Sequence, residues 1–204
     1  MNLFNRYSFF GLFQLFIFKI RTFFTFKNAR LIRFPFRVRG KQFIEIGDGL
    51  TTGFNCRFDA FNHNNLTGPL IKIGKNVEIN DDVHIAAVEY VEIGDDVLIA
   101  SKVYIADHNH GSYKGDFQDS PLTTPNSRKI YTDSIKIEKN VWLGEFVCVL
   151  QGVVIGEGSI IGAMSVVTTN IPPYSIAIGS PAKVIKKFDF EINQWVKIHK
   201  DASN

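Results

Sequence analysis

Histidine is the side chain best suited to take and return a proton near neutral pH. The chain has five: His63, His84, His108, His110 and His199. His108 and His110 stand apart, because they open a segment, Asp107 to Asp133, that interrupts an otherwise regular spacing of aliphatic residues. That segment is rich in Asp, Asn, Gly, Ser, Pro and Lys, and long irregular segments in compact domains are uncommon and usually functional. Either histidine could serve there as a general base, and if it is His110, Asp107 or another carboxylate is available to fix its tautomer. Asn80 and Asp82 precede the loop, as groups that bind a ligand or as turn residues that satisfy their own backbone. Trp142 follows the return of the loop and offers either a wall for a ligand or a packing surface. The sequence holds no glycine-rich phosphate loop and no Ser-His-Asp arrangement.

The spacing that the loop interrupts has a period of six. Ile137, Leu143, Val149, Ile155, Ile161 and Val167 recur in register, and Val141, Val147, Val153, Ser159 and Ser165 form a second row four places on. Gly144, Gly156 and Gly162 directly follow three of the first-row positions, where a tight bend needs a small residue. Six fits neither a single strand nor a single helix. It predicts a solenoid in which each hexapeptide makes a short flat face and a turn. Three faces close a coil of about 18 residues, stacked at about 4.8 Å. The rows begin near Gln42 with Ile46, Thr52 and Phe58, and a polar break follows at Asn62 to Gly68. They resume at Ile73, Ile79 and Ile85, slip by two residues near Glu89, and continue at Ile93, Ile99 and Ile105. Six or so coils follow from these counts.

A length of 204 residues suits one domain with appendages, and a net charge of +3 is too small to argue for a nucleic-acid partner. Cys56 and Cys148 read as small buried residues at inward second-row positions rather than as a disulfide or metal pair, which suits a reducing cytoplasm. Residues 1–36 form a separate segment. Ser8 to Ile20 is nearly all Phe, Leu and Ile, and basic residues follow at Lys19, Arg21, Lys27, Arg30, Arg33 and Arg37. The stretch is too short to span a bilayer as a helix and lacks a signal-peptide cleavage site. It predicts a hydrophobic helix, packed on the solenoid or a neighbouring subunit, or lying in a membrane interface. Phe188, Ile192, Trp195 and Val196 are spaced as on one helix face, so residues 188–204 are expected to hold a C-terminal amphipathic helix and tail.

Together the hexapeptide rows, the two-histidine loop, Asn140-Val141-Trp142-Leu143-Gly144 and the tail Ile171-Pro172-Pro173 to Gly179-Ser180-Pro181-Ala182-Lys183-Val184-Ile185 resemble the hexapeptide-repeat acyltransferases. The likeness lies in the branch of galactoside, maltose and polysaccharide O-acetyltransferases and covers about residues 37–187. It implies a mainly β fold, a left-handed parallel β-helix, assembled as a homotrimer with acetyl-CoA bound along the solenoid at sites between subunits. The stretch Leu31 to Gly40 is similar to the subset found in bacterial O-antigen and capsule clusters, which implies a sugar or polysaccharide precursor as acceptor. By the same resemblance His110 falls on the family's catalytic histidine, with His108 the second candidate, and Asn80, with Asp82 beside it, lies where an active site is lined. Trp142, Gly144, Glu145, Ala163, Thr168 and Thr169 match positions along the CoA channel, and Lys183 and Lys186 match basic positions for CoA phosphates. Where relatives carry an acceptor-binding carboxylate the chain reads Ala86-Ala87-Val88, which sets it apart from galactoside acceptors. No metal is expected. Two other readings stand beside this one: a γ-type carbonic anhydrase with zinc held by His84, His108 and His110, and a non-catalytic scaffold docked at a membrane. The expected location is the cytoplasm or the inner face of the cytoplasmic membrane.

Overall fold

The computed structural model describes residues 8–63 and 65–198. The rows of six become three parallel β-faces joined by tight corners. Face 1 begins at Leu31–Ile32, face 2 at Arg37–Arg39 and face 3 at Ile44–Ile46. The chain then returns to face 1 at Thr51–Thr52, parallel to Leu31–Ile32. Repetition of this circuit stacks seven parallel strands on face 1, six on face 2 and five on face 3, with an Ile155–Ile171 bridge extending the third. The result is a parallel β-helix of six coils and the start of a seventh.

Its core is the first aliphatic row. Ile137 stacks on Ile155, Leu143 on Ile161 and Val149 on Val167, and all six are fully buried. Each such side chain contributes about 1.5–3 kcal/mol on leaving water. The second row is buried too, and its two serines are satisfied. The Ser159 hydroxyl donates to the Pro172 carbonyl at 2.9 Å and accepts the Ser175 N–H, and the Ser165 hydroxyl donates to the Gly162 carbonyl and accepts the Gly179 N–H. These hydroxyls tie the last regular coil to the proline-bearing segment above it.

The corner between faces 1 and 2 repeats one strained conformation. Asp82, Lys102, Phe146 and Met164 have φ of 59, 62, 58 and 61°. Left-handed backbone is costly for such residues. Here each donates its N–H to the coil below, on Phe54, Asp81, Ser101 and Glu145 respectively. Gly144 needs no Cβ because one there would meet the Ala163 nitrogen at 2.6 Å.

Helix α1 (Phe9–Thr25) closes the N-terminal end of the solenoid, with the Ser8 hydroxyl accepting the Gly11 N–H as its cap. Phe18 is buried against Phe34 and Phe54, and the Thr22 hydroxyl accepts the Ile32 N–H at 2.8 Å. Among the described residues no helix is long and apolar enough to cross a membrane.

Three expectations need correction. The solenoid starts at Leu31, not near Gln42, because Ile32 and Val38 already stack on Thr52 and Phe58 of the first row, out of count with Ile46 by two residues and among phenylalanines that mask them. Cys56 is buried, but Cys148 precedes the inward Val149 and faces out beside Tyr104. The expected C-terminal helix is instead a β-hairpin, Lys183–Asp189 paired antiparallel with Gln194–Lys197, added to the edge of face 1. Local turn chemistry overrides the helical spacing. The Asp189 carboxylate accepts the N–H groups of Glu191 and Ile192, Asn193 turns with φ 54°, and Phe188 lands on Trp195 with ring centres 5.2 Å apart. The tail from residue 199 lies outside the described residues.

Candidate active site

The loop leaves the corner between faces 2 and 3 and is ordered by its own contacts. His108–His110 pairs antiparallel with Ile130–Thr132, and Gly111 N–H continues the ladder to Lys129. Arg128 gathers the rest: its guanidinium donates to the Tyr113 hydroxyl at 2.7 Å, the Thr123 carbonyl at 2.7 Å and the Thr123 hydroxyl at 3.0 Å. The Tyr113 hydroxyl in turn donates to the His110 carbonyl. Gly111 has φ 101°, and a Cβ there would press on Arg128 and Tyr113.

Asp107 is the fixed point beneath the histidines. Its carboxylate is fully buried and accepts the N–H groups of Val88, Glu89 and Tyr90 at 2.8–3.1 Å. The same carboxylate holds His108 Nδ1 at 3.0 Å, which leaves Nε2 pointing away from it. The sequence suggested such a carboxylate for His110, whereas the structure gives Asp107 to His108. No side chain hydrogen-bonds the exposed His110 ring among the described residues. His108 and His110 share one face of their strand. On the opposite face Asn109 and Gly111 line a cavity of about 340 Å³ with Tyr113, Tyr131, Leu150 and Thr168. The histidines therefore face away from that cavity, toward the outer surface of face 2.

The sequence reading did not bring together a row of polar side chains on face 2. Arg57, His84, Tyr104 and Cys148 lie in one register, with Asp59 and Ala86 in the next outward row. Asp59 is buried; it pairs with Arg57 Nε at 2.5 Å and His84 Nε2 at 3.0 Å, and Arg39 stands at 3.6 Å. Burial lowers the His84 pKa, its bond to Asp59 works the other way, and the charges of Arg57 and His108 lower it again. Burial likewise raises the Tyr104 phenol. The signal was present but coded in coil register, which unequal insertions conceal. Among the described residues no group of three His, Cys, Asp or Glu side chains is placed to hold a metal ion, so the three-histidine zinc reading finds no support.

Most residues matched to a cofactor channel, and the substrate candidates Asn80 and Asp82, gather elsewhere. Asn80, Asp82, Gly144, Glu145 and Ala163 climb the corner between faces 1 and 2, with Lys183 at its upper end beside Ile178. Met164 N–H meets the Glu145 carbonyl at 2.8 Å, and Gly144 N–H meets that of Ile161. Trp142 is 48% exposed on the outer surface of face 1, in register with Leu98 and Ile160, and Lys186 pairs with Ile176 further up that sheet. Thr168 and Thr169 follow the last face 2 strand, at the other corner, and Thr168 lines the loop cavity. Face 2 thus separates the histidines from Gly144, Glu145 and Ala163 within one chain, by about 15–20 Å for a six-residue span of extended backbone, while Thr168 lies on the loop's side.

The profile for bacterial transferase hexapeptide (six repeats) matches residues 134–169. Over 198 residues the chain is 42% identical to "Putative lipopolysaccharide biosynthesis O-acetyl transferase WbbJ" of Escherichia coli (strain K12), covering 97% of this chain and 98% of that protein. A shorter match, 59% identical over 58 residues and 28% of this chain, is to "Putative acetyltransferase SAR2635" of Staphylococcus aureus (strain MRSA252), of which it covers 29%. Among solved structures, AntD, an N-acyltransferase from Bacillus cereus in complex with dTDP and 3-hydroxybutyryl-CoA, superposes with a TM-score of 0.66 at 23% identity, covering 81% of this chain and 83% of that one. These likenesses fix the fold as the left-handed parallel β-helix. Its six-residue rows run through every coil and its overlap with the Escherichia coli protein is nearly complete: the chain belongs to the hexapeptide-repeat acyltransferase family.

Proposed function

We propose that this protein transfers the acetyl group of acetyl-CoA to a hydroxyl of a sugar in a bacterial O-antigen or capsule polysaccharide precursor. The observation that carries this reading is the ordered two-histidine loop on a hexapeptide solenoid, in a chain 42% identical over 198 residues to a protein named for lipopolysaccharide O-acetyl transfer. His110 is the base in this reading, and the Asp107-held His108 is the second candidate. The imidazole takes the hydroxyl proton as the oxygen attacks the thioester carbonyl, and the tetrahedral intermediate then expels the CoA thiolate, which receives that proton from the imidazolium. No covalent acyl-enzyme is involved. Trp142, Gly144, Glu145 and Ala163 line the path of the pantetheine arm, where small side chains let the carrier's amides approach the backbone. Thr168 and Thr169 are further contacts, and Lys183 and Lys186 receive the CoA phosphates as point charges. Asn80 and Asp82 face the acceptor.

Since one chain keeps its histidines and its channel corner on opposite sides of face 2, a homotrimer that sets one protomer's loop against its neighbour's corner completes each site. Exposed Leu98, Trp142, Phe146 and Met164 suit such a contact.

Calorimetric titration with CoA and acetyl-CoA tests the reading without knowledge of the acceptor. The expected result is micromolar binding near one site per chain, weakened by Lys183→Glu. Absence of binding would overturn it. For the acid–base assignment, His110→Ala should lower turnover by roughly two to four orders of magnitude and leave acetyl-CoA affinity intact.

A further inference from the structure

Helix α1 uses little of its surface to close the solenoid. Phe18 and Thr22 are its buried residues. At about 100° per residue they mark one narrow side, and the opposite side is apolar without a break. It runs from Phe23 round through Phe16, Phe9 and Phe13 to Phe24 and Phe10, with only isoleucine between, and covers about 140° of the circumference. Every one of those phenylalanines is more than half exposed, Phe9 at 90% and Phe24 at 74%. Lys19 and Arg21 stand at the two borders of this arc, both exposed.

Charge is divided along the chain in the same sense. Nine of the 23 Lys and Arg residues fall in the first 44 positions, which contain no Asp or Glu, while all 20 acidic residues lie beyond them. The exposed Arg30 and Lys41 of the first coil touch the helix, Lys41 Nζ donating to the Phe24 carbonyl and the Arg30 carbonyl accepting from Lys19 Nζ, and Arg37 and Arg39 are exposed on the same coil. Two features choose the occupant of the aromatic arc. An unbroken aromatic surface lacks the interspersed hydrogen-bonding groups that a protein interface uses. A second copy of the same cap would bring cation against cation. An anionic lipid surface meets both features, with phenylalanine and isoleucine entering the acyl boundary and lysine and arginine reaching back to phosphate.

We infer that α1 is an in-plane membrane anchor, and that the protein docks by its N-terminal end on bilayers containing anionic lipid. The site is independent of the acyl-transfer machinery, which lies on later coils.

Co-sedimentation of the full chain with vesicles of phosphatidylcholine, with and without phosphatidylglycerol, tests this. Binding is expected to the phosphatidylglycerol vesicles, to weaken as salt is raised, and to be much weaker on phosphatidylcholine alone. The triple variant Phe13→Ser, Phe16→Ser, Phe24→Ser replaces only exposed side chains. It should bind the anionic vesicles at least about a hundredfold more weakly, since each lost aromatic burial is worth about tenfold, and should keep the thermal unfolding midpoint and CoA affinity of the parent. A parent chain left in the supernatant, or a variant that still binds like the parent, would overturn the inference. A variant that changes oligomeric state while vesicle binding persists would assign the arc to self-association and overturn it equally. Loss of CoA binding by the parent would strike the acetyltransferase reading and leave this one standing.

Discussion

His108 and His110 are two residues apart yet differ in what holds them. A base acts well when its tautomer and orientation are fixed, and Asp107 fixes His108 through Nδ1, whereas the His110 ring is exposed and no side chain among the described residues holds it. Single variants separate the two roles. If His110 is the base and His108 its support, His108→Ala lowers turnover less than His110→Ala; the reverse order would transfer the role. Asp107→Asn keeps the shape but turns an amide donor toward N–H groups that need an acceptor. It should cost about 1–3 kcal/mol of stability, measured by urea unfolding, and reduce turnover with it. His84 supports a different test. Its pKa is lowered in the fold, chiefly by burial, so the unfolded chain binds its proton more readily. The stability His84 contributes is complete above its ordinary value of 6.5 and is lost as pH falls through the lowered folded value. His84→Gln should therefore flatten the fall in unfolding free energy just below that pH, and an unchanged slope would show that Asp59 fully offsets burial and the charges of Arg57 and His108.

At the scale of elements, the loop is positioned by one cation. Arg128 reaches the Tyr113 hydroxyl and the Thr123 backbone, and Tyr113 reaches the strand that bears both histidines. Because the loop lies outside the stacked core, Arg128→Ala should leave the thermal midpoint nearly unchanged, hasten proteolysis between residues 112 and 128, and depress turnover at least about tenfold through misplacement of the histidine strand. Equal protease resistance would show that the His108–His110 pairing alone suffices. The loop's existence was legible, since Ile105 and Ile137 break the count of six. The inward rows were legible for a related reason: each coil buries the same few positions, so burial repeats in sequence as it does in space. The face 2 cluster was not legible. His84 stands over Arg57 and under Tyr104 across coils lengthened by Asn62 to Gly68 and by the slip at Glu89, so sequence distance no longer reports vertical neighbours. The C-terminal hairpin failed for a local cause: Asp189 and Asn193 set a turn that four apolar residues at helical spacing do not reveal.

At the scale of the molecule, the solenoid acts as a ruler with a different use for each side. Face 3 carries solvated pairs such as Lys72–Glu92 and Lys136–Glu138, while faces 1 and 2 expose Leu98, Trp142 and Tyr104. That asymmetry fits the proposed trimer, packed along two faces, and the proposal of a shared site is testable by mixing. Preparations of His110→Ala and Trp142→Ala are unfolded together and refolded, so that trimers assort at random. A site is whole only where a protomer with intact His110 meets a neighbour with intact Trp142. At equal input that arrangement arises at about a quarter of the sites, so activity should rise well above the mean of the two separate variants, toward about a quarter of the parent's. Co-refolded variants that give only the mean would show that each chain carries its own complete site. The loop would then have to fold back across face 2 to bring its histidines to the channel corner.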